Sequence, residues 1–143
     1  MNNIIKKIIS FQVAIWTVIV LSCVIIIFHF FVLLQVIPFE NVWAGKLKSV
    51  QEMYVYESIS LVINFLLILI VLVKGQVINL KISSKTIDAF LWIFVIIFSL
   101  NTLGNLSSKT NLETIIATPL TFIFALLCWR IAINRKKSIT NAQ

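Results

Sequence analysis

Four long apolar runs, separated by short polar breaks, cover most of the chain. Each could cross a bilayer, whose hydrocarbon core needs roughly 20 apolar residues in a helix. The runs predict helices over residues 8–34, 50–73, 87–106 and 111–133, followed by a basic tail over 134–143. At ~1.5 Å per residue the first helix would be ~40 Å long, enough for the core plus an interfacial turn or a tilt. Gln35 marks its exit, and Pro38 ends or kinks it. Two later starts carry a capping box, in which a serine or threonine accepts from an early backbone N–H and a glutamate reaches back. These are Ser49-Val50-Gln51-Glu52 and Thr110-Asn111-Leu112-Glu113. Pro119 falls inside the fourth run, which a membrane helix tolerates when neighbours satisfy the freed carbonyl. Thr114, Thr118, Thr121, Ala125, Cys128 and Ala132 form a stripe of small residues suited to close helix approach.

Composition agrees with the pattern. The 143 residues are 60% hydrophobic, with a mean hydropathy of +1.05. A soluble domain of this size could not hide that much apolar surface. The expected fold is all-α: a single four-helix transmembrane bundle with lipid as its main solvent. Lys6 and Lys7 before the first run would also suit a signal peptide. The continuation VIIIFHFFVLL after Cys23 is more membrane span, so an uncleaved first helix is expected. Cys23 and Cys128 lie in separate apolar runs, a pattern of packing residues rather than of a disulfide frame.

Charge adds orientation. The net charge of +7 resides at helix ends and in short loops. Lys6, Lys7, Lys74, Lys81, Lys85, Arg130, Arg135, Lys136 and Lys137 fall on one side, and Lys46, Lys48 and Lys109 on the other. The positive-inside rule therefore predicts cytoplasmic N and C termini, with the first and third loops outside. This distribution argues for a lipid bilayer, not nucleic acid, as the partner. The tail would attract anionic lipid, at ~1 kcal/mol per basic residue near the surface.

With that topology, polar residues from all four helices line up in the outer third. His29 lies late in the first helix and Glu57 within two turns of the start of the second. Asn101 and Asn105 end the third, Thr118 is early in the fourth, and Asn64 lies nearer the middle. Intramembrane polar groups are costly and usually face the bundle interior. They predict an outward-facing pocket of His29, Glu57, Asn64, Asn101, Asn105 and Thr118, with Glu40, Trp43 and Lys46 as its rim. A plainer alternative is that they hydrogen-bond the helices together, at ~0.6–2 kcal/mol each. No metal-ligand spacing, phosphate loop, dinucleotide fingerprint or nucleophile elbow is present, so no metal, cofactor or catalytic set is expected.

The stretches IPFENVWAGKLKSVQEMYVYE and LNTLGNLSSKTNLE resemble a family of small, uncharacterised four-helix bacterial integral membrane proteins. The resemblance covers the first outer loop, the second helix and the corner between the third and fourth, about half the chain. It implies the four-span fold, not an activity. The layout is also broadly similar to DoxX-like proteins and to the sterol-isomerase-like EXPERA group, at the level of fold alone.

Three function classes follow. The leading one is a binding or accessory protein of the bacterial cytoplasmic membrane, engaging a lipid-like molecule or a partner membrane protein through the outer pocket. The second is a small transporter or channel component working as a homo-oligomer, against which stands the apolar inner two-thirds. The third is a membrane enzyme using His29 and Glu57 in acid–base chemistry on an apolar substrate.

Overall fold

The computed structural model describes residues 5, 7–108, 111 and 113–134. Lys6, Lys109, Thr110, Leu112 and the tail from Arg135 onward lie outside the described residues. So do the expectations that rest on them, the Thr110 half of the second capping box among them. The described chain is four apolar helices, each long enough to span a membrane, and no strand. It is a four-helix transmembrane bundle and a multi-pass integral membrane protein.

Helix α1 spans Phe11–Leu33. It begins later than its apolar run because Ser10 caps it, accepting from the Val13 N–H at 3.2 Å. It also stops before the run ends. The Gln35 N–H donates to the Val32 carbonyl and the Val36 N–H to the Phe31 carbonyl. This Schellman closure places Gln35 in the left-handed region, at φ 57°. The helix is finished before Pro38, which therefore causes neither its end nor a kink.

Helix α2 spans Val50–Lys74. Ser49 Oγ accepts from the Glu52 N–H at 3.2 Å, while the Glu52 carboxylate accepts from the Lys48 N–H at 2.8 Å. The box is reciprocal, but its return arm reaches one residue further back than the usual pattern. The C-terminus repeats the closure of α1, with Gln76 at φ 61°. Gly75 just precedes it, where a Cβ would lie 3.2 Å from Ile15 of α1. Its lack of a side chain lets the two helices meet.

Helix α3 spans Ser84–Leu106, starting earlier than its apolar run because Ser83 accepts from the Lys85 N–H. The fourth span, Glu113–Ala132, joins a π-helical turn, Glu113–Ala117, to helix α4, Thr118–Ala132. Pro119 explains the join. It has no N–H and crowds the carbonyl four residues back, so the ladder widens by one residue ahead of it. Thr118 Oγ1 donates to the Glu113 carbonyl at 3.1 Å, satisfying an acceptor within this turn.

The helices pack as a ring, with α3 against α4 the most extensive pairing and α1 against α2 the next. The small-residue stripe lies in the first of these. Ala125, Cys128 and Ala132 are buried, and Thr102 Oγ1 of α3 donates to Thr121 Oγ1 of α4 at 3.0 Å. The main core joins all four helices, through residues such as Val18, Leu67, Leu91 and Phe124. A second, separate core of Val32, Val42 and Met53 lies under the α1–α2 loop. The Phe11 end of α1, the Lys74 end of α2, the Ser84 end of α3 and the Ala132 end of α4 share one end of the bundle. Contacts from Gly75 to Ile15, Lys74 to Asp88 and Arg130 to Ile9 fix this arrangement.

Candidate functional site

At the opposite end, α1 carries His29 inward, one helical turn before the buried Val32. Helix α2 carries Glu57 on the same face as buried Met53 and Asn64, at spacings of four and seven residues. Glu57 is 1% exposed. Its Oε2 lies 2.5 Å from Nδ1 of His29, which is part-buried. Its Oε1 accepts from the indole Nε1–H of Trp43 at 2.8 Å. Both carboxylate oxygens thus have a partner, as a buried charge requires.

Trp43 reaches Glu57 because the loop folds back. Two 3-10 turns, Phe39–Asn41 and Trp43–Gly45, shape it. Val42 between them is buried in the small core beside Val32 and Met53, and anchors the loop. Trp43 and Gly45 lie in the left-handed region, at φ 55° and 65°. For a bulky residue that conformation costs ~1–3 kcal/mol and persists only where its surroundings impose it. The buried valine, the Glu57 hydrogen bond and a ring contact to Tyr56 (centroids 5.0 Å apart) together hold Trp43 there. Outside this trio, Gln35 donates to the Tyr54 hydroxyl at 3.2 Å.

The remaining expected pocket residues do not join it. Asn64 is buried but local, donating to the Ser60 carbonyl one turn back at 2.9 Å. Asn101 is exposed on α3. Asn105 is half-buried, and its backbone carbonyl accepts from Thr114. Thr118 serves the π-helical turn. Glu40 and Lys46 are exposed on the loop, clear of Glu57. The single pocket of four helices is therefore corrected to two polar sets. One is His29, Glu57 and Trp43 between α1, α2 and their loop. The other lies between α3 and the fourth span, where Ser108 Oγ donates to the buried Glu113 carboxylate at 2.5 Å and Thr102 meets Thr121. Among the described residues, no hydrogen bond links His29, Glu57 or Trp43 to α3 or α4. Asn101 and Asn105 continue the face of Phe94 and Phe98, seven residues further on, but that face is packed only at the phenylalanines: Asn101 is exposed and Asn105 half-buried where α3 nears its end.

Trp43 is the functional residue the sequence misplaces, as a rim group rather than a ligand of Glu57. A loop residue has no helical periodicity to reveal where it points. Asp88 is the sole acid in a basic stretch. It pairs with Lys74 at the other end of the bundle. Two open cavities also lie there, away from Glu57. No group of three or more metal-ligating side chains occurs among the described residues. Cys23 is exposed on α1 and Cys128 is buried in α4, both as free thiols.

The His29–Glu57 pair can hold or relay a proton, and the carboxylate can accept from a cationic or N–H donor if Trp43 withdraws. Comparison with family models, curated proteins and solved structures finds no match for the chain.

Proposed function

We propose that the protein is a binding or accessory protein of the bacterial cytoplasmic membrane, with its recognition element in the α1–α2 loop seated on Glu57. The observation that carries this reading is the buried carboxylate whose second oxygen is closed by a strained loop tryptophan. His29 comes from a helix and is a fixed partner. Trp43 comes from a loop, sits at positive φ and is half-exposed, so it is the replaceable one. The ligand that fits has an apolar body and one cationic or N–H donor group, which takes the place of the indole N–H on Glu57. A lipid-like amine or a helix of a partner membrane protein meets that description. The resemblance to small four-helix bacterial membrane proteins belongs to this proposal, as does the outward orientation of the loop. The apolar core through the middle of the bundle argues against a conducting path within one copy.

The test is purification from native membrane in mild detergent, with mass spectrometry of co-purifying lipids and proteins. The wild type is expected to carry a species that Glu57→Gln loses and Trp43→Phe retains or gains. An identical profile in all three would end this reading.

A second reading, acid–base chemistry on an apolar substrate, is favoured by the 2.5 Å His29–Glu57 contact alone. A co-purified molecule recovered as a chemically altered product by wild type, but intact from His29→Gln, would select it.

A further inference from the structure

The end of the bundle remote from Glu57 holds a second polar assembly. Lys74 closes α2, and its side chain is 7% exposed. Its ammonium pairs with Asp88 near the start of α3. Arg130 is 4% exposed near the end of α4. Its Nε donates to the Ile9 carbonyl at 2.7 Å, but its Nη1 is buried with no hydrogen-bond partner. A cavity of about 190 Å³ opens beside Lys74, lined by Phe11, Gln12, Lys74, Gly75, Gln76 and Asn134. A smaller one of about 70 Å³ shares Lys74 and Gln76 with it.

We propose that the larger cavity binds the phosphate of an anionic glycerophospholipid. Three observations converge on an anion. The cavity is lined by Lys74 and by three residues with side-chain amides, Gln12, Gln76 and Asn134. Arg130, one helical turn before Asn134, leaves a buried guanidinium with no counter-charge, and an uncompensated buried cation is costly. Lys7, Lys81 and Lys85 add exposed positive charge at the same end, where Asp88 is the sole acid and is already paired. Lys74 and the amides would supply direct donors, and Arg130, one turn before the lining residue Asn134, would add its charge. A lipid rather than a free ion follows from the surroundings. Phe11 lines the cavity, while Ile8, Val13 and Val77 expose apolar surface at this end for acyl chains. The positive-inside reading puts this end in the cytoplasmic leaflet, whose anionic lipids attract basic segments.

Native mass spectrometry of the full chain in detergent tests this, with phosphatidylglycerol and phosphatidylcholine of matched acyl chains, and inorganic phosphate in a separate arm. The wild type is expected to retain phosphatidylglycerol about fivefold over phosphatidylcholine, as one uncompensated cation nearby implies. Thermal stability should rise with phosphatidylglycerol and stay unchanged with phosphate alone. The double variant Lys74→Gln/Asp88→Asn removes both charges while keeping a hydrogen-bonding pair, and should lose most of the preference. Gln12→Leu, at an exposed position that leaves folding intact, should lose part of it. The proposal is overturned if wild type shows no preference, if inorganic phosphate stabilises as strongly as the lipid, or if Gln12→Leu and a folded double variant both keep the full preference.

Discussion

At the scale of single residues, the most informative group is Trp43. Its ring suits a membrane interface, and its indole N–H ends on a buried carboxylate. Trp43→Phe keeps the ring but leaves Glu57 Oε1 unpaired in a site water barely reaches. A hydrogen bond to a charged group is worth ~1.5–3 kcal/mol. Unfolding of the variant in mixed micelles should show a loss of that order, with most of it absent in a Glu57→Gln background. Full additivity of the two substitutions would mean that the bond contributes nothing. Ser22 makes the opposite case. It is fully buried on α1, and its hydroxyl has no partner. Ser22→Ala is expected to raise stability by up to ~1–2 kcal/mol by removing an unpaired polar group, and an unchanged or lower melting temperature would contradict this. Glu57 and His29 could be singled out in the sequence because an ionisable group in an apolar run is conspicuous. Ser22 could not, since serines in membrane helices usually satisfy themselves on the preceding turn.

At the scale of elements, every helix end falls within one residue of its expected place, while three of the four starts move by two or three residues. Ser49 announces α2 through its capping box, and the structure realises it with a one-residue shift of the return arm. The ends of α1 and α2 are set by glutamines in a left-handed conformation, a role usually taken by glycine. Gln35 marks the exit of α1 in the sequence, but the left-handed conformation by which it closes the helix is not legible there. Pro119 was visible, but not its consequence, a π-helical turn instead of a kink. Spacing alone predicts the small stripe, and its buried part, Ala125, Cys128 and Ala132, lies on the helix that makes the most extensive pairing, α4 with α3. Ala125→Leu should therefore force α3 and α4 apart, at ~1–3 kcal/mol for overpacking. Ile123→Leu, at a half-exposed lipid-facing site on the same helix, is the control and should be silent. Equal effects of the two would argue that the stripe is not a packing seam.

At the scale of the whole molecule, the bundle has one end built on shared apolar packing and another divided between two helix pairs. The four-helix core and the Lys74–Asp88 pair belong to the first, and the two separate polar sets to the second. Orientation is a whole-molecule property and rests on charge. In a cysteine-free background, Lys46→Cys should react with an impermeant maleimide on intact cells, while Lys81→Cys should react only after permeabilisation. The reverse pattern would invert the topology and move the Glu57 loop to the cytoplasm.

The sequence by itself determined that the chain spans a membrane four times, as helices, with its two terminal segments at one end. Those features follow from the length and number of apolar runs, because an unsatisfied backbone cannot remain in lipid. It also determined that Glu57 and His29 would share a depth, since helical rise converts residue number into distance. Only the tertiary structure decided which polar groups at that depth meet. Depth says nothing about what stands opposite a side chain: on α3, Phe94 meets the core, while Asn101, seven residues on along the same face, lies exposed. The α1–α2 loop was likewise beyond periodicity: a buried Val42 and a carboxylate in reach draw Trp43 back onto the bundle and complete a site that the helices alone leave open.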